Sequence, residues 1–352
     1  MPVPPRADLA LVPGYHSPQV DVPVRLNTNE SPYPPPDAWR EALADEVLRV
    51  DWHRYPDRSA GALRSAIGER HGVGPEHVFA ANGSNEVLQT VCLTFGGPGR
   101  TALTFEPTYA LHAHIARLAG TEVVTAERGD DFVLNPSDVA GAVAAASASI
   151  VFLCSPNNPT GTVDDPAVVA AARSAGAGLV VVDEAYGEFA SRSLVAEAAG
   201  SDDLVVTRTF SKTWSMAAGR LGYCVASPDV VAELERVVLP YHLDALKQAA
   251  GRLALRHVDD MDARVAALVA ERRRVVAGLD RLPVRHWPSG ANFVLFRPLA
   301  RDGAEVWQEL VDRGVLVRNC AGWPRLSGCL RVTMGTPEEG DAYLAALEEV
   351  LS

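Results

Sequence analysis

The sequence TFSKTWSMAAGRLGY occupies Thr209–Tyr223 and begins three positions after the apolar run Leu204–Val206. It places one lysine, Lys212, among small and hydroxylated residues, and Arg220 follows eight positions later. A lysine amine can bind an aldehyde covalently. An arginine beside hydroxyl groups gives a phosphate a bidentate cationic partner. The stretch therefore predicts a site for a ligand that carries both an aldehyde and a phosphate.

Two apolar runs upstream end in polar residues that suit an aromatic ring. Asp183 and Tyr186 follow the run LVVV, and the turn Ser155–Gly161, SPNNPTG, follows IVFLC. Buried parallel strands have continuous apolar runs, and α/β folds bind ligands at the carboxyl ends of such strands. Asp183 could pair with a protonated ring nitrogen, and Asn158 and Tyr186 could reach a ring hydroxyl. Taken alone, Asp183 could equally cap a helix, and SPNNPTG could be an ordinary turn.

Residues 83–85, Gly-Ser-Asn, precede apolar residues at helical spacing, which predicts a helix N-terminus with a capping side chain. Its N–H groups would favour a phosphate, although any capped helix has this pattern. Tyr109 follows another short strand and could stack on a ring or belong to the core or the rim. Combined with Lys212 and Arg220, these parts compose a site for pyridoxal 5'-phosphate (PLP), whose ring serves as an electron sink.

Taken together, these strings resemble the fold-type-I PLP aminotransferases over nearly the whole chain. The strings, in the family's order and spacing, are SPNNPTG, Asp183–Tyr186, Ser211–Lys212 and Gly219–Tyr223. Within that superfamily the chain is most similar to the histidinol-phosphate aminotransferases, through Arg25–Tyr33, Arg54–Asp57 and Cys329–Thr336. The resemblance implies PLP-dependent transamination of L-histidinol phosphate with 2-oxoglutarate, giving imidazole acetol phosphate and L-glutamate in histidine biosynthesis.

The resemblance also implies a role for each matched position. Lys212 would anchor the cofactor covalently and shuttle the proton, and Asp183 would hold the pyridine nitrogen. Tyr109 would stack on the ring, while Asn158 and Tyr186 would hold its hydroxyl. The cofactor phosphate would be bound by the backbone amides of Ser84 and Asn85 and by Thr209, Ser211 and Arg220.

Substrate and partner residues follow from the same resemblance. Tyr55 would reach the cofactor phosphate of the neighbouring subunit, which implies a homodimer with shared active sites. Arg331 would clamp a substrate α-carboxylate, and Arg318, thirteen residues earlier, would bind the substrate phosphate. Tyr15, together with Asn158, would line the substrate pocket. L-Histidinol phosphate has no α-carboxylate, so Arg331 would be idle or would contact another group in that half-reaction.

Several alternatives stay open at this stage. An arginine after an apolar run, as at Arg318, is also typical of a solvated strand end. The same cofactor residues would serve an aromatic aminotransferase acting on phenylalanine, or a PLP-dependent decarboxylase of a phosphorylated amino acid. The chain departs from the family in four residues and one segment, which could alter the substrate pocket or its entrance: Trp214, Met216, His242, Asp244 and Ser31–Pro36. A PLP-binding DNA regulator and a nicotinamide-dependent enzyme are not expected, because neither a helix-turn-helix segment before residue 30 nor a Gly-x-Gly-x-x-Gly strand end occurs.

Composition narrows the class of protein further. The 352 residues are 47% hydrophobic and 22% charged, with a net charge of −12 and no basic patch, so we expect no nucleic-acid partner. Residues 1–6 lack an apolar signal core and no apolar run has the length of a membrane span, so we expect a cytoplasmic protein. Five scattered cysteines indicate buried thiols, and no Cys/His cluster has the spacing of a metal site.

Alternating apolar strands and Ala-rich helical patterns between Val78 and Val225 predict a mostly parallel sheet covered by helices. The family resemblance makes this a seven-stranded sheet, joined to a smaller α+β domain. We expect an N-terminal arm, 1–31, that packs on the small domain, a large PLP-binding domain, 32–240, and a small domain, 241–352. The segment 243–279 predicts one long helix between the domains, with the charge run Glu271–Arg274 on a solvated face.

Overall fold

A computed structural model describes Val3 and residues 20–352. Within these residues the strands are Val24–Leu26 (β1), Val78–Ala81 (β2), Thr101–Glu106 (β3), Glu122–Glu127 (β4), Ile150–Cys154 (β5), Leu179–Asp183 (β6), Leu204–Thr209 (β7), Gly222–Val225 (β8), Val284–His286 (β9), Phe293–Pro298 (β10), Val315–Asn319 (β11) and Leu330–Thr333 (β12). The α-helices are Asp37–Arg49 (α1), Gly61–His71 (α2), Ser84–Phe95 (α3), Leu111–Leu118 (α4), Pro136–Ala146 (α5), Pro166–Ser174 (α6), Val195–Ala199 (α7), Pro228–Val237 (α8), Ala245–Ala254 (α9), Val258–Leu279 (α10), Gly303–Asp312 (α11) and Pro337–Leu351 (α12).

The large domain is built on a seven-stranded sheet in the order β2-β8-β7-β6-β5-β3-β4. Only β8 runs against the other strands of this sheet, because it pairs antiparallel with both β2 and β7. In β6, Val180 and Val182 belong to one hydrophobic core, and Leu179 and Val181 belong to the core on the opposite face. Burial on both faces explains why the central strands are continuous apolar runs.

The small domain contains a five-stranded sheet in the order β1-β11-β12-β10-β9. Strand β1 pairs parallel with β11, and the remaining pairs are antiparallel. The core of this domain includes Phe293, Leu310, Leu330 and Leu347, which come from β10, α11, β12 and α12. The predicted fold class, a mostly parallel seven-stranded sheet plus a small α+β domain, is confirmed.

The predicted single helix over 243–279 is wrong, because residues 255–257 separate α9 from α10. Helix α9 packs against α1 and α2, and its residues Ala250 and Ala254 lie in a core of the large domain although they follow Pro240. Helix α10 passes from that core at Met261 to the small-domain core at Val275. The boundaries at 31–32 and 240–241 stay predictions.

The prediction of a solvated face for Glu271–Arg274 holds only in part, because Arg273 and Arg274 are exposed whereas Glu271 is not. Glu271 is buried and forms an ion pair of 2.8 Å with Arg274. Arg272 Nη1 donates to the carbonyl oxygen of Ala291 at 2.5 Å, which ties α10 to the segment before β10. Arg272 therefore connects elements of the small domain, while Arg273 and Arg274 stay at the surface.

All five cysteines are buried and free, as the sequence predicts for buried thiols. Among Val3 and residues 20–352, no helix has the length and the apolar character that crossing a bilayer requires.

Candidate active site

A cleft of about 420 Å³ lies where the carboxyl ends of the large-sheet strands face β11 and β12 of the small domain. Twelve of the predicted site residues line it: Ser84, Asn85, Tyr109, Asn158, Asp183, Tyr186, Thr209, Ser211, Lys212, Arg220, Arg318 and Arg331. Tyr55 does not line this cleft; it is exposed and stacks on Tyr241 with ring centroids 4.6 Å apart. Tyr15 lies outside the described residues.

Asp183 ends β6 inside the cleft and is buried. Its Oδ1 accepts hydrogen bonds from the backbone N–H of Ala185 at 3.0 Å and from Thr207 Oγ1 at 3.3 Å. His112 Nε2 lies 3.0 Å from Oδ2, and the His112 ring stacks on Phe152. The carboxylate is therefore held rigidly at the end of the central strand, where it can meet a cationic ring nitrogen.

The sequence analysis missed His112, which is buried in α4 three residues after Tyr109. A histidine in a short helix that also carries His114 and Arg117 is a weak signal, because sequence alone does not reveal its partner. Only the tertiary structure brings α4 against the end of β6 and so pairs the imidazole with Asp183.

The expected phosphate cup forms at the N-terminus of α3, where Gly83 precedes the helix with φ +82°. The predicted capping side chain is absent, because no described side chain caps this helix end. Gly222 of β8 crosses closely, and a Cβ added to it would lie 2.3 Å from the backbone nitrogen of Ser84. Helix N–H groups without a side-chain cap are well suited to bind an anion.

The other side of the cup is formed by the last residue of β7 and by residues that follow this strand. Thr209 Oγ1 donates to Ser211 Oγ at 3.1 Å, and Arg220 Nη1 donates to the same Oγ at 3.4 Å. A Cβ added to Gly83 would come within 2.9 Å of Arg220 Nη2. Two hydroxyls and a guanidinium thus face the helix N-terminus across a space that side chains on Gly83 or Gly222 would fill.

Lys212 Nζ donates to the carbonyl oxygen of Thr28 at 3.2 Å and lies 5.7 Å from the ring centre of Tyr186. Desolvation in the cleft lowers the pKa of Lys212 to about 8, and the cations of Arg331 and Arg220 lower it as well, while Glu30 opposes them. The amine is therefore neutral far more often near pH 7 than an ordinary lysine amine.

Tyr186 and Asn158 are oriented by neighbours in the small domain and in the N-terminal segment. Asn29 Nδ2 donates to the Tyr186 hydroxyl at 2.8 Å, and burial raises the pKa of Tyr186, so this phenol stays protonated and can donate. Asn158 Oδ1 accepts from Arg331 Nη1 at 2.5 Å, so the group it can offer a ligand is its Nδ2–H. Both side chains can therefore donate to a ring oxygen.

Arg331 and Arg318 are direct partners on the antiparallel strands β12 and β11. Arg331 is buried, and its Nη2 donates to the carbonyl oxygen of Asn27 at 2.8 Å. The Arg318 guanidinium lies 5.3 Å from the ring centre of Trp323. Because directly opposite residues share a face of the sheet, the two cations lie side by side in the cleft.

The structure adds lining residues to which the sequence analysis gave no role: Asn27, Thr28, Asn29, Glu30, Ala110, Cys154, Ala185, Ala217, Ala218 and Trp323. The first four lie in the stretch Arg25–Tyr33, which was singled out only for its resemblance to the family. The sequence alone does not show that these residues line the site, because residues 27–30 reach Lys212 only when β1 pairs with β11.

Four of the residues in which the chain departs from the family lie away from this cleft: Trp214, Met216, His242 and Asp244. Trp214 and Met216 are buried in a core of the large domain. His242 Nε2 lies 2.9 Å from the carbonyl oxygen of Ala80, and Asp244 caps α9. None of these four lines the cleft, so the expectation that they could alter the substrate pocket finds no support there.

The cleft matches the chemistry of PLP at each end. A helix N-terminus, two hydroxyls and Arg220 suit the phosphate, Asp183 suits the ring nitrogen, and the donors Tyr186 and Asn158 suit the ring oxygen. Tyr109, whose hydroxyl donates to Asn85 Oδ1 at 3.0 Å, supplies an aromatic ring near the helix N-terminus. The fold and this cleft define a PLP-type aminotransferase site.

Known proteins agree with this class. The family model for aminotransferases of class I and II matches residues 21–347. A histidinol-phosphate aminotransferase from Frankia casuarinae is 48% identical over 353 residues, which cover 96% of this chain and 88% of that protein. A histidinol-phosphate aminotransferase from Mycobacterium avium is 45% identical over 358 residues, covering 98% and 88%.

A solved structure shows the same fold. Histidinol-phosphate aminotransferase from Sinorhizobium meliloti in complex with pyridoxal-5'-phosphate has a TM-score of 0.86 to this chain, with 23% identity and coverage of 100% and 95% of the two chains. The present chain belongs to the class I and II aminotransferases, in the histidinol-phosphate aminotransferase family. The resemblance identified from the sequence motifs is confirmed.

Proposed function

We propose that this protein transfers an amino group from L-histidinol phosphate to 2-oxoglutarate, giving imidazole acetol phosphate and L-glutamate in histidine biosynthesis, with PLP as cofactor. The observation that carries the proposal is the side-by-side pair Arg318 and Arg331 in the cleft that also holds Lys212 and Asp183. A phosphate monoester carries nearly two negative charges near pH 7, and two adjacent guanidinium groups match that charge.

The cofactor would lie with its phosphate at the N-terminus of α3 and its ring nitrogen at Asp183. When bound, PLP supplies an electron sink for the charge left when the substrate loses a proton from carbon. Thr209, Ser211 and Arg220 would hold the phosphate, and Tyr186 and Asn158 would donate to the ring oxygen. His112 acts on the cofactor only through Asp183, whose carboxylate it orients.

Lys212 would anchor the cofactor through Nζ, and its free amine would move the proton. Its lowered pKa of about 8 allows the neutral amine to accept a proton at Nζ near neutral pH. The carbonyl oxygen of Thr28, 3.2 Å from Nζ, keeps the amine near the reacting carbon. Glu30 opposes the depression of this pKa, so the ammonium form is also populated and can return the proton.

The two arginines bind the phosphate of histidinol phosphate, which takes the place of the absent α-carboxylate. Arg331 is oriented by Asn158 and by the carbonyl oxygen of Asn27, so its position is set before the substrate arrives. In the other half-reaction Arg331 accepts the α-carboxylate of 2-oxoglutarate, and Arg318 accepts its distal carboxylate. Arg331 is therefore used in both half-reactions.

A homodimer is part of this proposal, with Tyr55 of each subunit reaching the cofactor phosphate of the other. In support, Tyr55 is exposed together with the apolar side chains of Trp52 and Leu239. Tyr55 also stacks on Tyr241, so its ring is already oriented. Exposed apolar side chains of this kind mark interaction surfaces. A Tyr55→Phe variant that keeps full cofactor affinity, or a monomer in sedimentation velocity, would contradict the proposed dimer.

We also propose a cytoplasmic location for this protein, and its five buried free thiols support it.

The function is tested by mixing the PLP-loaded protein separately with L-histidinol phosphate, L-phenylalanine and L-glutamate. The absorbance change of the bound cofactor reports amino transfer. We expect fast conversion with histidinol phosphate. The rate should be strongly reduced in Arg318→Ala and less reduced in Arg318→Lys, which keeps a positive charge. Conversion with phenylalanine and glutamate alone would assign the protein to aromatic amino acids. Release of carbon dioxide from a phosphorylated amino acid would assign it as a decarboxylase.

A further inference from the structure

The loop of residues 320–329 joins β11 to β12 and places Trp323 in the wall of the cleft. Trp323 is half-buried, and its backbone N–H donates to the carbonyl oxygen of Cys320 at 3.0 Å. The roles proposed so far for the cleft do not include this indole. Its contacts connect the residue that binds the substrate phosphate to the loop that carries Tyr109.

On the small-domain side, the Arg318 guanidinium lies 5.3 Å from the centre of the Trp323 ring. A guanidinium that lies against an indole face is attracted by the ring. The indole therefore restricts Arg318 to one side of the cleft.

On the large-domain side, Trp323 Nε1–H donates to the carbonyl oxygen of Thr108 at 2.9 Å. Thr108 is buried, and its hydroxyl donates to Asn157 Oδ1 at 3.0 Å, so this carbonyl is well fixed. Tyr109, the next residue, is the ring expected to stack on the cofactor. One indole thus sets the position of Arg318 relative to Tyr109.

A second contact holds the same loop on the large domain. Arg325 donates to the carbonyl oxygen of Arg128 and forms an ion pair of 3.3 Å with Asp130. Trp323 and Arg325 therefore anchor the loop at two points across the domain boundary. The loop therefore contributes to the distance between Tyr109 and Arg318.

We propose that Trp323 is a positioning residue that makes the cleft selective for a phosphorylated amine, by holding Arg318 at a fixed distance from the cofactor plane. The inference rests on the proposed function. It adds that the reach from the reacting amine to the phosphate is selected by an indole that touches both domains. Without the indole contact, Arg318 would be less restricted and would discriminate less between a phosphate and a carboxylate.

The test compares Trp323→Leu, which loses both contacts, with Trp323→Phe, which keeps the aromatic face and loses the N–H. We expect KM for histidinol phosphate to rise about tenfold in Trp323→Leu and by less in Trp323→Phe. We expect kcat and cofactor affinity to stay near their original values. Inhibition by inorganic phosphate, competitive with histidinol phosphate, should weaken by a similar factor, and KM for L-glutamate should rise by less.

Trp39→Phe is the matched control, because Trp39 Nε1 donates a similar bond of 3.0 Å to the carbonyl oxygen of Ala250, away from the cleft. Equal increases of KM for histidinol phosphate and L-glutamate would show a general structural role and overturn the inference. An unchanged KM for histidinol phosphate in Trp323→Leu would also overturn it. If the original protein does not convert histidinol phosphate, the proposed function itself fails, which is a distinguishable result.

Discussion

The amine of Lys212 should react with electrophiles at a lower pH than an ordinary lysine does. Desolvation and the cations of Arg331 and Arg220 lower its pKa from 10.5 to about 8. At pH 7, about one amine in eleven would then be neutral, against about one in three thousand at a pKa of 10.5. Because only the neutral amine is a nucleophile, the reaction should rise with pH to a midpoint near 8.

The pH dependence of the Lys212 reaction can be measured directly, because the chain contains only two lysines, Lys212 and Lys247. Cofactor-free protein would be labelled briefly with acetic anhydride between pH 6 and pH 11, and mass spectrometry would follow each lysine. Lys247 lies on α9, where it pairs with Asp244 at 3.4 Å, and reports the behaviour of the reagent itself. Lys212 should reach half of its maximal labelling near pH 8.

An Arg331→Gln variant separates the two causes of the depressed pKa. Removing this cation should move the Lys212 midpoint to higher pH, while the desolvation of the amine remains. Arg297→Gln, on β10, is the matched control and should leave the midpoint unchanged. A midpoint near 10 in the original protein, or no shift in Arg331→Gln, would refute the electrostatic explanation.

Three further changes test other parts of the structure. His112→Phe removes the hydrogen bond at Oδ2 of Asp183 and should lower kcat about tenfold while PLP stays bound, and an unchanged kcat would argue against a positioning role. Gly222→Ala places a Cβ 2.3 Å from the start of α3 and should weaken PLP binding by about tenfold or more in a titration, whereas full affinity would mean that the backbone adjusts freely. Asp164→Ala leaves the buried Arg128 cation unpaired and should reduce the free energy of unfolding by about 3–5 kcal/mol in urea denaturation, whereas a loss below about 1 kcal/mol would show that water reaches the guanidinium.

Local patterns were sufficient for much of the fold and for the cofactor side of the cleft. The apolar runs that became β5, β6 and β7 are buried on both faces, which makes them continuous in sequence and easy to locate. Asp183 and Thr209 end their strands, so their place at the sheet edge followed from the strand assignment.

Local patterns failed where a residue's surroundings come from distant segments. The segment 243–279 has helical periodicity throughout, yet residues 255–257 interrupt it, because α9 packs on α1 and α2 and α10 continues from that core to the core of the small domain. Glu271 belongs to a run of charges that would be solvated in an isolated helix, but the contacts of α10 with β10 and α12 bury it. The expected cap of α3 was absent for a related reason, because that helix end faces the cleft.

The sequence alone determined the class of this protein, because covalent anchoring and phosphate binding need particular residue types at short spacings along the chain. The tertiary structure decided what the cleft can select. Arg318 and Arg331 become neighbours only through the pairing of β11 with β12, and Trp323 reaches Thr108 only when the two domains meet. Selectivity depends on distances between segments that are far apart in sequence, and such distances are set by packing across the domain boundary, which no local pattern records.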